Sequence, residues 1–280
     1  MSEKTQVRTR AIVLRSNNFS EADRFCTLLS PQLGLIEVKA RGARRSRSPL
    51  LLGTEFLSLA EFDLFYYKDR YTINSADLVY AFPAIRADIE RLTCASHLSE
   101  LLRDLVLPEE VSDELYELMA RALSAMEKDS PGPLSVVHAC ELRLMRLGGF
   151  GLELNRCVHC QKEMDLKEAA CFDFTKMGIT CAAHQPQAAA HRPQADAKAS
   201  PYRPAFERLY MDLSAASLAA IDWFSHCPLD RLFSFESSAG IEKELNLFSK
   251  HYLAWNLDKQ YNKLDLLLRL DQLGSELEKR

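Results

Sequence analysis

The residues whose types and spacing point most directly to chemistry are Cys157-Val-His-Cys160 and, twenty residues later, Cys181-Ala-Ala-His184. A two-residue spacing lets both side chains of a pair turn inward from one tight knuckle, and two such pairs complete a tetrahedron around zinc. Cys157, Cys160, Cys181 and His184 are therefore expected to hold one structural Zn2+ ion. A catalytic zinc keeps one position open and needs a proton-transferring carboxylate beside it. Nucleobase deaminases meet that need with His-x-Glu and Pro-Cys-x-x-Cys. Here no His-x-Glu precedes the pairs, neither pair follows a proline, and no pair of histidines flanks a glutamate at helical spacing. His159 is expected to point away from the metal. Cys171, in the alternating Cys-Phe-Asp-Phe174, is read as a strand residue whose thiol packs or lies free.

Other catalytic patterns are missing from the sequence. It has no Walker-type phosphate loop, no Gly-x-Gly-x-x-Gly and no Gly-x-Ser-x-Gly elbow; Gly148-Gly-Phe-Gly151 is too short and follows a helical stretch. The chain reads as a binder and not an enzyme. A zinc-dependent hydrolase acting on nucleic acid, with Glu153 or Glu163 as proton carrier, is the first alternative. A protein-only adaptor is the second.

What the metal would hold together is set by the rest of the chain. Its 280 residues, 47% hydrophobic and 26% charged, suit one or two globular domains. No run of 18 apolar residues and no signal-peptide pattern occurs, so a cytoplasmic location without membrane contact is expected. Cys26, Cys94, Cys140 and Cys227 lie singly in apolar segments, as small buried hydrophobes do. Such use fits a reducing compartment better than a disulfide scaffold. The net charge of −4 hides an asymmetry: residues 1–50 carry ten Lys or Arg against four acids, a net of +6, which leaves −10 for the remainder. A basic front on an acidic body predicts that one domain alone meets a polyanion.

That front is patterned as strands. Val7–Leu14, Arg24–Leu29, Leu35–Ala40, Phe56–Tyr67 and Tyr71–Val79 are five candidate strands, separated by turn formers such as Ser16-Asn-Asn-Phe-Ser20. Five short strands avoid exposed edges by closing, so residues 1–82 are expected to form a five-stranded oligonucleotide-binding (OB) barrel, with an SH3-like barrel as competitor. Lys39-Ala-Arg-Gly-Ala-Arg-Arg-Ser-Arg47 is read as a flexible arm following a phosphate backbone, with Lys39, Arg41, Arg44, Arg45 and Arg47 as contacts. Phe62, Phe65, Tyr66, Tyr67 and Tyr71 are aromatics available to core or stacking.

From Ala84 the apolar period becomes helical. Helices are expected over 84–105, from Val111 to Met126, from Leu134 to Leu147, from an N-cap at Ser214, and from Ile241 to Leu273. Gln185–Ser200, rich in Ala, Pro and Gln, reads as a linker. Residues 83–280 are thus expected to be a four- to six-helix bundle carrying the zinc knuckle at about 153–186, an α+β protein overall. His97 and His138, with no nearby ligand partners, are assigned to packing or surface roles.

Several stretches together resemble one family, the bacterial DNA repair and recombination mediator RecO. They are Ala11-Ile-Val-Leu14, Ser20-Glu-Ala-Asp-Arg24, the basic loop Lys39–Ser48, and Glu141-Leu-Arg-Leu-Met-Arg-Leu-Gly148 followed by Cys157-x-x-Cys160. They run in order over about residues 5–184. The resemblance implies an OB barrel, a helical bundle and, in many members, a zinc knuckle, without catalytic turnover. It implies binding to single- and double-stranded DNA and annealing of complementary strands. It also implies engagement of RecR, contact with the C-terminal tail of single-strand-binding protein (SSB), and help in loading RecA, at the nucleoid. Lys39, Arg41, Arg44, Arg45, Arg47 and Arg24 inherit the DNA-contact role. The chain departs from the family at His184, where many members carry Cys, and at Tyr261-Asn-Lys-Leu264, where many carry a Leu-Lys-Ser-Arg-like element.

Overall fold

Alternation in the first eighty residues resolves into five strands: β1 (Thr5–Asn18), β2 (Arg24–Ser30), β3 (Gly34–Ala40), β4 (Leu59–Tyr67) and β5 (Arg70–Tyr80). The structure, a computed structural model, describes residues 5–107, 111–185, 209–235 and 237–267. Of the stretch read as a linker, only Gln185 falls among them. The strands close into a barrel in the order β1-β2-β3-β5-β4. All neighbours are antiparallel except β3 and β5, which run parallel through Val38–Tyr71 and Lys39–Thr72.

β1 runs on through Asn18, past the turn formers expected to end it. Its first half pairs with β4 and its second with β2, and an irregularity between Val13 and Arg15 re-aims the strand. Inward residues follow the period of two, including Ala11, Val13, Cys26, Leu28, Ile36, Val38, Phe62, Leu64 and Ile73, all buried. The stretch from Phe56 to Ser58, expected as strand, is a turn held by Leu57 N–H donating to Val13 O and Val13 N–H to Ser58 O.

The chain divides into two compact units, residues 1–130 and 131–280. The helices expected as one bundle are therefore shared between them. In the first unit the helix expected over 84–105 is broken into α1 (Pro83–Ala87) and α2 (Ile89–Leu105). Asp88 takes an extended conformation and caps α2, accepting from Arg91 N–H. Glu127, at the end of α3 (Asp113–Lys128), accepts from the N–H groups of Ala84 and Ile85, which satisfies the start of α1. Ser112 caps α3, so Val111 lies outside that helix and is exposed.

In the second unit, α4 (Pro133–Leu147) is buried on nearly every side. Arg143 and Arg146 reach from it to the last carbonyls of α5 (Ala215–His226). Arg143 Nε donates to Phe224 O at 3.0 Å, and its Nη2 and Arg146 Nη1 donate to Cys227 O and Ser225 O. α6 spans Ala239–Leu257. It breaks after Leu257 because Asp258 turns left-handed (φ 48°), which Asp tolerates better than most residues, and Asp265–Leu267 is helical again. Tyr261, Leu264 and Leu267 keep their apolar spacing beyond that break and are buried. Residues after Leu267 lie outside the described residues.

A three-stranded sheet, ordered β7-β6-β8, completes this unit: β6 (Ala169–Asp173), β7 (Gly178–Cys181) and β8 (Tyr210–Met211). Phe172, Phe174, Phe248 and Tyr252 join the sheet side to α6, with Phe172 and Phe248 edge to face at 4.9 Å. His97 and His138 are both buried, which removes the surface role; His138 Nδ1 lies 3.2 Å from Glu141 Oε2. Cys26, Cys94, Cys140 and Cys227 are buried too.

Candidate metal centre and nucleic-acid interface

The β6–β7 hairpin brings the two ligand pairs together. Cys157 N–H donates to Lys162 O and Gln161 N–H to Cys157 O, both at 2.9 Å, with Gln161 left-handed at φ 63°; this folds 157–162 into a knuckle. The knuckle docks on β7 through Val158 N–H to Ile179 O at 2.9 Å. Cys181 ends β7, and a single 3-10 turn, Ala182–His184, swings the imidazole back over it.

One donor atom from each of Cys157, Cys160, Cys181 and His184 lies within 4.8 Å of the other three. Cys160 Sγ and Cys181 Sγ are 3.9 Å apart, and His184 Nδ1 is 3.2 Å from Cys181 Sγ and 3.9 Å from Cys157 Sγ. A tetrahedron with metal–sulfur bonds of about 2.3 Å and metal–nitrogen bonds of about 2.0 Å has edges of roughly 3.5–3.8 Å. The donor set fits a metal ion of that size with four protein ligands.

Burial works against a charged Cys157 sulfur. The backbone N–H groups of Cys160, Cys181 and His159 outweigh it, however, and bring the thiol down to about 6. The site thus favours the thiolate that a metal requires. His159 is not a ligand. Its Nε2 lies 3.1 Å from buried Asp173 Oδ2, and its ring stacks on His184 with centroids 5.6 Å apart. Cys171 is not one either: it is buried on β6 with Sγ 3.1 Å from Thr180 Oγ1. The carboxylates of Glu153 and Glu163 lie outside the donor cluster.

The knuckle's seat depends on a glycine. A Cβ at Gly178 would strike Val158 Cγ1 and stand 2.7 Å from Glu153 O. Gly178→Ala is expected to cost about 1–3 kcal/mol through overpacking. Calorimetry should show a lower Tm, and chelator competition should show weaker metal retention.

The basic loop lies in the other unit. It is not the flexible arm its composition suggests. Residues 41–54 form successive turns, with Arg45 N–H bonded to Gly42 O, Ser48 N–H to Arg45 O and Leu51 N–H to Ser48 O. Ala43 and Leu50 are buried in the barrel core and seat the turns. Gly42 is left-handed (φ 69°), and its N–H donates to Asp23 Oδ1 at 2.9 Å. Asp23 Oδ2 also meets Lys39 Nζ at 3.1 Å. The Gly42 N–H, then the Lys39 ammonium, hold this carboxyl below its ordinary range. The anchor is therefore complete above the usual carboxylate pKa and is lost only in stronger acid. Arg44 N–H donates to Ala22 O at 2.9 Å, and Arg44 Nη1 reaches Ser20 O.

Ser20–Arg24 thus acts as the cradle of the basic turn. Arg24 belongs to the cradle, not to the exposed set. Its side chain is only 14% exposed, with Nη2 2.9 Å from Glu55 Oε1 and Nη1 donating to Leu51 O and Thr54 Oγ1. Arg41, Arg44, Arg45 and Arg47 are exposed, and among the described residues none is ion-paired. Lys39, half-buried, lies 5.1 Å from the Phe19 ring centroid and 5.9 Å from that of Phe25.

Those two phenylalanines were not among the aromatics singled out from the sequence. Phe19 falls in a stretch of turn formers, and Phe25 reads as an ordinary strand residue. No sequence signal marks Phe25, because Thr27 and Leu29, in the same phase along β2, are buried. Of the aromatics that were named, Phe62 is core, whereas Phe65 and Tyr67 are partly exposed at the β4–β5 hairpin.

Among the described residues, no helix is long and apolar enough to cross a membrane. Residues 1–82 match the family model "Recombination protein O N terminal", and residues 86–203 match "Recombination protein O C terminal". The DNA repair protein RecO of Acetivibrio thermocellus is 32% identical over 267 residues, 95% of this chain and 98% of that protein. RecO of Thermoanaerobacter sp. is 25% identical over 95% of this chain and 99% of its own length. RecO of Anaeromyxobacter sp. (strain K) is 33% identical over 65% of this chain and 71% of its own. Full-length similarity at this level, with both family models matched in order, means that the chain belongs to the RecO family of DNA repair proteins.

Proposed function

We propose that this protein is a non-catalytic DNA-binding mediator of recombinational repair. Its barrel, residues 1–82, grips the phosphates of single- and double-stranded DNA through Arg41, Arg44, Arg45, Arg47 and Lys39. Binding two complementary strands at once brings them together for annealing. The observation that carries this reading is four exposed arginines without ion-pair partners on one ordered turn. Such charges release counterions on meeting phosphate and bind without reading sequence. The strand order, with β3 parallel to β5, supports an OB-type barrel, in which strands 2 and 3 line the nucleic-acid face.

In the second unit the four donors would hold one zinc ion, whose contribution is structural because the protein fills the whole tetrahedron. That stiffened unit, residues 131–280, is the part we assign to protein partners. These are RecR and the C-terminal tail of SSB and, through them, RecA. The donor cluster is made of four protein side chains and includes neither Glu153 nor Glu163, which favours this reading over a hydrolase.

A salt titration of binding to single-stranded oligonucleotides tests the proposal. We expect log K to fall linearly with log salt, with a slope of about −0.7 for each phosphate contacted. No binding even at low ionic strength would replace the mediator with a protein-only adaptor.

A further inference from the structure

We propose that Phe19 and Phe25 form a base-stacking step beside the arginine turn, which gives this barrel its preference for unpaired over paired DNA. The inference rests on the nucleic-acid reading above and adds to it a site with a different chemistry. Phe19 keeps 60% of its surface exposed and Phe25 39%, whereas Phe62 of the same barrel is fully buried. The two rings pack on each other and against Lys39, yet together they leave a contiguous apolar surface in water, most of it on Phe19.

Their placement is not loose. Phe19 N–H donates to Asp23 O at 3.1 Å, and the rings meet edge to face at 4.6 Å and 79°. Phe25 lies directly across from Lys39 on β3 and from Asn17 on β1. Phe19 directly precedes Ser20, whose carbonyl is held by Arg44. Apolar rings thus stand next to the only cluster of unpaired arginines among the described residues of the barrel. A nucleotide presents that same pairing of features, an aromatic face and an adjacent phosphate. A duplex hides its base faces within the stack, so it can use the arginines but not the rings.

The test compares a single-stranded oligonucleotide with a duplex of equal length, by fluorescence anisotropy on the full chain. Phe19→Ala should weaken single-strand affinity by about tenfold, the scale of losing one stacked base. Duplex affinity and both salt slopes should be unchanged. Because the ring is exposed, the variant should melt like wild type. Phe19→Trp should retain affinity, and its added indole should be quenched by single strands but not by duplex. Unchanged single-strand affinity in Phe19→Ala would overturn the stacking step. An equal loss on both substrates would overturn it as well. Wild-type protein that binds neither substrate would instead remove the nucleic-acid reading itself, and the stacking step with it.

Discussion

Replacing Arg41, Arg44, Arg45 and Arg47 together by Glu should abolish strand annealing and weaken single-strand binding by several hundredfold. The magnitude follows from counterion release. Each single-strand phosphate contact contributes about 0.7 to the salt slope, so at about 0.1 M salt four contacts amount to on the order of several hundredfold, and charge reversal adds to that. The slope itself should become shallower by about 3. The variant should fold, since these side chains are exposed and the turn is seated by Ala43, Leu50 and Asp23. Metal content should match wild type, because the ligands belong to the other unit. Measured slope and affinity equal to wild type would mean that another surface meets the DNA.

The second large effect is expected at the knuckle. Cys157→Ser, or exhaustive chelation, should lower the Tm of the second unit by more than about 10 °C and sharply reduce soluble yield. Structural zinc contributes roughly 10–16 kcal/mol to small zinc domains, while whole proteins are stable by only about 5–15 kcal/mol. Losing even about 4 kcal/mol shifts the Tm of a unit this size by about 10 °C. Cys157 is the natural choice because it is fully buried and its sulfur accepts from Cys181 N–H at 3.4 Å. Remaining soluble protein should still bind DNA. Zinc affinity of chelated protein should fall with pH, and more steeply below about 6, where the metal must also displace a proton from Cys157. Thermal melts with and without chelator, alongside metal analysis, read the outcome; identical melts would show that the cluster carries no folding energy.

The two sites were legible in the sequence to different depths. Each Cys/His pair lies within four residues, so covalent geometry alone brings two donors together, and all four members of the cluster could be named. The roles of their neighbours could not. His159 has the right chemistry and spacing to ligate, and only the position of Asp173 on β6, fourteen residues away, shows what holds it. In the basic loop the charges were evident, but their order was not. Composition rich in Gly, Ser and Arg suggests mobility, whereas the buried contacts of Ala43 and Leu50 and the carboxylate of Asp23 impose a fixed turn. Arg24 illustrates the same point: its charge is read from the sequence, but its pairing with Glu55 depends on how residues 41–58 fold back.

Periodicity and spacing settled the buried face of β3, where most helices begin, and which four side chains can share a metal. Periodicity could not choose among barrels, because alternation identifies faces but not partners. The strand that closes on β3 is β5, paired parallel between residues more than thirty positions apart, and no alternation announces that pairing. Nor could it find the end of α6, since the apolar spacing of Tyr261, Leu264 and Leu267 continues past a reversal at Asp258. Short-range geometry leaves a repeating trace in the chain. Closure of the barrel, seating of the arginine turn and exposure of Phe19 arise from contacts between distant residues, and such contacts have no period to read.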